Sequence, residues 1–194
     1  MKSVNHQDPG SFSPDGKLLA FGEFGGESRW DIAVLAMDGE RTARPFFQTQ
    51  FNEMEPMISP DGKWLAYSSD ESGRSEIYVQ PFPQGGRKWQ VSSGGANQPL
   101  WAPDGRRLLF RTIDSVMGIA IDTQPEFRSG KQSVLFSGLF KSRNGFGHPN
   151  YDVSRDGQRL LMLQPSLPEG DGATEINAIL NWSEELKTRH RTGK

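Results

Sequence analysis

One short motif constrains this chain more than any other feature. Ser13-Pro14-Asp15-Gly16, Ser59-Pro60-Asp61-Gly62, Ala102-Pro103-Asp104-Gly105 and Ser154-Arg155-Asp156-Gly157 recur with Asp-to-Asp spacings of 46, 43 and 52 residues. A period of that size means one supersecondary unit is reused along the chain. The residue types say what each copy does. Pro presets φ near −65° early in a turn, Asp accepts a bond from a backbone N–H ahead of it, and Gly tolerates the φ > 0 position at which the chain reverses.

Each Asp-Gly is followed by a patterned run: Lys17-Leu18-Leu19-Ala20-Phe21, Lys63-Trp64-Leu65-Ala66-Tyr67, Arg106-Arg107-Leu108-Leu109-Phe110 and Gln158-Arg159-Leu160-Leu161-Met162. The larger apolar residues sit two apart, so in a strand each pair shares one sheet face and the residue between them faces the other way. Phe12, Ile58, Trp101 and Val153 precede the turns and complete a hairpin in every unit. A third strand follows at 31–35, 76–79, 118–121 and 176–180, after loops rich in Gly, Ser and acidic residues. Fourth strands are predicted at 45–48, 89–92 and 134–136. In the last unit Ser183-Glu184-Glu185 reads instead as the N-cap of a short helix.

Four short antiparallel strands per unit is the content of one propeller blade, so the sequence predicts an all-β propeller of four four-stranded blades, the last incomplete. Blades are placed at about 9–52, 53–96, 97–148 and 149–182, with a short helix and basic tail over 183–194. Composition agrees: 22 Gly and 13 Pro fit a chain of many turns, and 12 Phe with 5 Trp supply much of the core. Because residues 1–8 hold little apolar material to lend an outer strand to the last blade, the expectation is an open arc, as in part of a propeller of six or more blades.

The pattern P-x-[FIW]-[SA]-P-D-G-[KR]-x-L-[AL]-[FY], followed by a strand such as Glu76-Ile77-Tyr78-Val79, resembles the PD40, or WD40-like TolB-type, propeller repeat over nearly the whole chain. That resemblance implies a repeat shared by Tol-Pal envelope proteins, the propellers of prolyl oligopeptidase-like peptidases and the C-terminal regions of bacterial Ser/Thr kinases. The stretch 69–83, the copy Tyr151-Asp152-Val153-Ser154-Arg155-Asp156-Gly157 and Leu180-Asn181-Trp182 are most similar to the kinase-linked group. It implies a non-catalytic binding or sensing scaffold, extracytoplasmic if the parent is a membrane kinase or TolB-like, whose missing blades or second copy complete the sheet edge.

Other chemistries find little support. Absence of Cys removes disulfides, thiolate metal sites and thiol nucleophiles. Kinase, nucleophile-elbow and P-loop signatures are missing, and His6, His148 and His190 form no metal-ligand frame. Neither a cofactor nor a metal is therefore predicted. With 22 Lys+Arg against 24 Asp+Glu and a net charge of −2, nucleic acid is not an expected partner, and no apolar run is long enough to span a bilayer. The residues Pro14, Asp15, Gly16, Pro60, Asp61, Gly62, Pro103, Asp104, Gly105, Asp156 and Gly157 are assigned to structural turns. The insert 127–149, with Lys131, Lys141, Arg143 and Phe146, is the candidate recognition loop for a protein or small ligand. Four of the five tryptophans are expected to pack inside, while Trp30 is read as a candidate for an exposed face.

Overall fold

The computed structural model describes residues 5–25, 29–138 and 150–162, and the backbone of 177–180. Among these residues there is no helix. Strands β1 (His6–Phe12), β2 (Leu18–Gly25), β3 (Arg29–Ala36) and β4 (Ala43–Pro45) form one antiparallel sheet in chain order. The second sheet, also in chain order, is β5 (Glu53–Ile58), β6 (Trp64–Ser69), β7 (Glu76–Pro81) and β8 (Trp89–Gln90). β9 (Asn97–Trp101), β10 (Arg107–Arg111) and β11 (Ser115–Asp122) begin the third sheet. Its outer position is shared by β12 (Arg128–Ser129) and β13 (Ser133–Ser137), both paired with β11. β14 (Tyr151–Val153), β15 (Arg159–Met162) and β16 (Asn177–Leu180) form the last. Among the described residues no strand pairing joins the first sheet to the last, so the blades form an open arc.

Strand alternation builds the core between consecutive sheets. Leu65 and Tyr67 pack with Ala20 and Ile32 of the first sheet, whereas Ala66 between them faces Leu108 and Phe110 of the third. Leu109 in turn faces Leu160 and Met162 of the fourth. The second strands β6 and β10 thus each serve two interfaces, with the wider pair directed at the preceding sheet. Fully burying one such Leu or Phe contributes about 1.5–3 kcal/mol relative to exposure, so these repeated contacts account for the stacking.

Three features differ from the sequence reading. β4 ends at Pro45, where the fourth strand was expected to begin: Phe46 and Phe47 both donate their N–H groups to the Ile32 carbonyl, at 2.7 and 3.2 Å, and leave the sheet edge. Their rings pack inward instead, Phe47 at 4.7 Å from Tyr67 and Phe46 at 5.7 Å from Phe82. Trp30 lies inside β3 and is only 5% exposed. Gly22, with no side chain, leaves room for its indole, which also meets His6 edge-on at 5.6 Å. Finally, β1 starts at His6, ahead of the expected unit, because Gln7 is paired with Glu23 through both the ladder and a 2.9 Å side-chain bond.

Candidate functional site

The four turns share one geometry. Gly16, Gly62, Gly105 and Gly157 have φ of +72°, +72°, +68° and +68°, and each donates its N–H to the carbonyl three residues back at 2.7–2.9 Å. Asp15, Asp61, Asp104 and Asp156 each accept, on Oδ1, the N–H two residues ahead at 2.9–3.1 Å. In three turns the Ser hydroxyl donates to that same oxygen and accepts the N–H of Leu18, Trp64 or Arg159. Bonds from Ser13 and from the Lys17 N–H hold the Asp15 carboxyl below its ordinary pKa, and Ser154 with Gln158 does the same for Asp156. Ala102 stands in the Ser position of the third turn, so Asp104 lacks the hydroxyl bond.

Successive turns nest. A Cβ on Gly62 would stand 3.2 Å from Pro14, and one on Gly105 would stand 3.8 Å from Pro60. Between the second and third turns the chain leaves a cavity of about 710 Å³. Its wall is built from Asp61, Trp64, Trp101, Asp104, Ile121 and Asp122, and among the described lining residues Arg106 carries the only positive charge. Trp101 is buried and anchored by its Nε1–H to the Met57 carbonyl at 3.0 Å. Trp64 is half-buried, its ring held 5.0 Å from Phe127 and 5.8 Å from Trp89.

A second polar feature runs along the inner strands. In each of the first three sheets two inner-strand residues oppose a single aromatic residue on the next strand, forming a bulge: Pro9-Gly10 against Phe21, Glu55-Pro56 against Tyr67 and Gln98-Pro99 against Phe110. Glu55 and Gln98 occupy the left-handed region, at φ +57° and +55°, which costs on the order of 1–3 kcal/mol for such residues. What holds them is a chain of bonds across sheets. Glu55 Oε2 accepts from Ser68 Oγ at 2.9 Å and from the Gln98 N–H at 2.7 Å, and the Tyr151 hydroxyl donates to the Gln98 carbonyl at 2.7 Å. Burial pushes the Glu55 carboxyl up to about 7.

Glu53, two residues earlier, is 1% exposed and its carboxyl is also raised to about 7 by burial. Thr49 Oγ1 donates to its Oε1 at 2.6 Å, and its Oε2 is buried without a hydrogen-bond partner among the described residues, as is Asp31 Oδ1. Each negative charge raises the cost of ionising the other. Neither Glu53 nor Glu55 was singled out from sequence. The available signal was a polar residue directly before Pro56 and Pro99 in an otherwise buried strand.

Of the expected recognition loop, residues 127–138 are described. Phe127 is buried against Trp64 and Trp89, and Lys131 is exposed between the two outer strands β12 and β13. Lys141, Arg143 and Phe146 lie outside the described residues, as do the 183–194 segment and Trp182. The described residues contain no group of three His, Asp or Glu fit to hold a metal ion, and no helix long and apolar enough to cross a membrane.

Consecutive antiparallel sheets of three to five strands, each opened by the same Asp-Gly hairpin and stacked face to face, define a β-propeller. Residues 3–150 match the TolB beta propeller domain, PD40, and the chain belongs to that family. Among curated proteins it is 31% identical over 106 residues to an uncharacterized peptidase, YuxL, of Bacillus subtilis, covering 53% of this chain and 16% of that protein. It is 35% identical over 88 residues to the Tol-Pal system protein TolB of Thioalkalivibrio sulfidiphilus, covering 45% of this chain and 20% of that one. The chain therefore spans a fifth or less of these relatives. The crystal structure of TolB from Acinetobacter baumannii superposes with a TM-score of 0.63 at 19% identity, over 93% of this chain and 42% of that one, which establishes likeness of fold.

Proposed function

We propose that this propeller is a non-catalytic scaffold that binds or senses a protein or ligand partner within a larger bacterial signalling protein, in the manner of the kinase-linked propellers. The observation that carries the reading is how the described polar side chains are employed. Turn aspartates cap backbone N–H groups, Glu55 joins two sheets, and His6 stands edge-on to Trp30. The concave surface between the second and third turns is lined by carboxylates and indoles, with no imidazole or Ser–base pair among its described lining residues. Such a surface is suited to holding a ligand rather than to activating a nucleophile.

The test is turnover. Purified chain is expected to cleave neither peptide p-nitroanilides nor puromycin-like amides, and to transfer no phosphoryl group from ATP; turnover that a point substitution in the described residues abolishes would refute the scaffold reading. A second reading, the propeller of a prolyl oligopeptidase-like hydrolase encoded elsewhere, draws on the 106-residue match to the B. subtilis peptidase. A third, a TolB-like envelope component, draws on the TolB match. The coding sequence around the chain discriminates them: a kinase domain with a membrane helix, a hydrolase domain, or an N-terminal α/β domain behind a signal peptide.

A further inference from the structure

We propose that the groove between the second and third turns is a binding site for a cationic side chain, Lys or Arg, of a partner polypeptide. This deepens the scaffold reading and rests on it. Three carboxylates, Asp61, Asp104 and Asp122, converge on the groove with the indoles of Trp64 and Trp101. The turn bonds of all three fall on Oδ1: Lys63 N–H and Ser59 Oγ for Asp61, Arg106 N–H for Asp104, Gln124 N–H for Asp122. Their Oδ2 atoms take no part in those turn bonds.

Charge and shape select the occupant. Against three carboxylates the described lining supplies one cation, Arg106, so an ammonium or guanidinium is attracted and a carboxylate or phosphate is repelled. Half-buried Trp64 offers an aromatic surface on which a cation gains further stabilisation, and Ile121 with the indoles gives the methylene stem an apolar bed. A volume of about 710 Å³ admits one or two such side chains with their backbone. The repeat singles out this junction. Its third turn is the copy in which Ala102 replaces Ser, so Asp104 is relieved of the hydroxyl bond that Asp15, Asp61 and Asp156 each receive.

The same repeat provides the control. Full-length chain is titrated with tetralysine, tetraarginine, tetraglutamate and choline, reading intrinsic Trp fluorescence and calorimetric heat at low and moderate salt. Saturable binding of the basic peptides, with none of tetraglutamate, is expected. Asp104→Asn with Asp122→Asn keeps an Oδ1 acceptor for each turn and should weaken that binding about tenfold or more. Asp15→Asn, the equivalent turn change outside the groove, should leave it unchanged. Binding that survives the double variant, or falls equally with Asp15→Asn, overturns the site. Choline bound as tightly as the peptides would overturn the polypeptide as occupant. None of these outcomes bears on turnover, so failure here is separable from failure of the scaffold reading.

Discussion

Raising the pH through neutrality should destabilise this propeller, and two glutamates, buried Glu53 and half-buried Glu55, set the size of the effect. Glu53 and Glu55 stand at about 7, against an ordinary carboxyl value of 4.5. At roughly 1.4 kcal/mol per pKa unit, each contributes about 3 kcal/mol that favours the folded, protonated form. The sign follows from which state ionises first. Between about pH 4.5 and 7 the unfolded chain has released protons that the folded chain retains, so stability, complete below that window, is lost as pH rises through the folded-state value. With both groups in the window the slope approaches roughly −2.7 kcal/mol per pH unit. The depressed carboxyls of Asp15 and Asp156 act at the acid end and leave this window untouched. Urea unfolding followed by Trp fluorescence from about pH 5 to 8.5 measures the slope. Glu53→Gln and Glu55→Gln should each reduce it by about half, and the double variant should nearly flatten it. A wild-type stability that is level or rising over that range, or a double variant that keeps the full slope, would refute the assignment.

Four substitutions test the packing. Gly10→Ala places a Cβ 2.5 Å from the Pro56 carbonyl oxygen and 2.8 Å from that of Ala20, so it should cost about 1–3 kcal/mol in urea unfolding. Gly130→Ala, whose nearest contact is 3.5 Å, should stay within roughly 0.5 kcal/mol of wild type. Gly62→Val sets a β-branched residue at φ +72°, with Pro14 3.2 Å from its Cβ; a melting temperature equal to that of wild type would count against the turn assignment. Tyr151→Phe removes the donor to the Gln98 carbonyl and should cost about 1–3 kcal/mol by leaving a buried acceptor unpaired.

What the sequence made legible was whatever repeats in a fixed local chemistry. Pro-Asp-Gly announces a turn because Pro, a short carboxylate and a Cβ-less residue each perform a local task, and the Leu65/Tyr67 spacing announces a strand because period two is local as well. Properties decided by a neighbouring sheet were not legible. Phe46-Phe47 has strand composition, yet its rings leave the edge because Tyr67 and Phe82 of the next unit offer a pocket. Trp30 is buried because Gly22, on the adjacent strand, carries no side chain to exclude it. Glu55 and Gln98 gave only a faint mark, a polar residue ahead of Pro. Their left-handed backbone becomes intelligible once each is seen opposite a buried aromatic ring with a bond to the next sheet.

Those cross-sheet bonds explain how a change in one blade reaches another. The Ile58 N–H donates to Ser11 Oγ, tying the second sheet to the first; Trp101 Nε1–H donates to Met57, and the Gln98 N–H to Glu55, tying the third to the second; Tyr151 then ties the fourth to Gln98. Every link is anchored on an inner strand, and several fall beside a bulge, where the ladder leaves backbone groups free to bond outward. Stability in such an array is a sum of unit and nearest-neighbour terms. Ionising Glu55 strengthens it as an acceptor for Gln98 while burying a charge beside Tyr151, so one proton acts on the unit term and the neighbour term with opposite signs. Trp101 joins this network to the proposed groove: its indole lines the cavity while its N–H holds Met57, two residues from Glu55. Occupancy of the groove and protonation of Glu55 therefore act on the same joint between the second and third sheets, and if they are coupled, basic-peptide affinity and the apparent pKa of Glu55 must shift together.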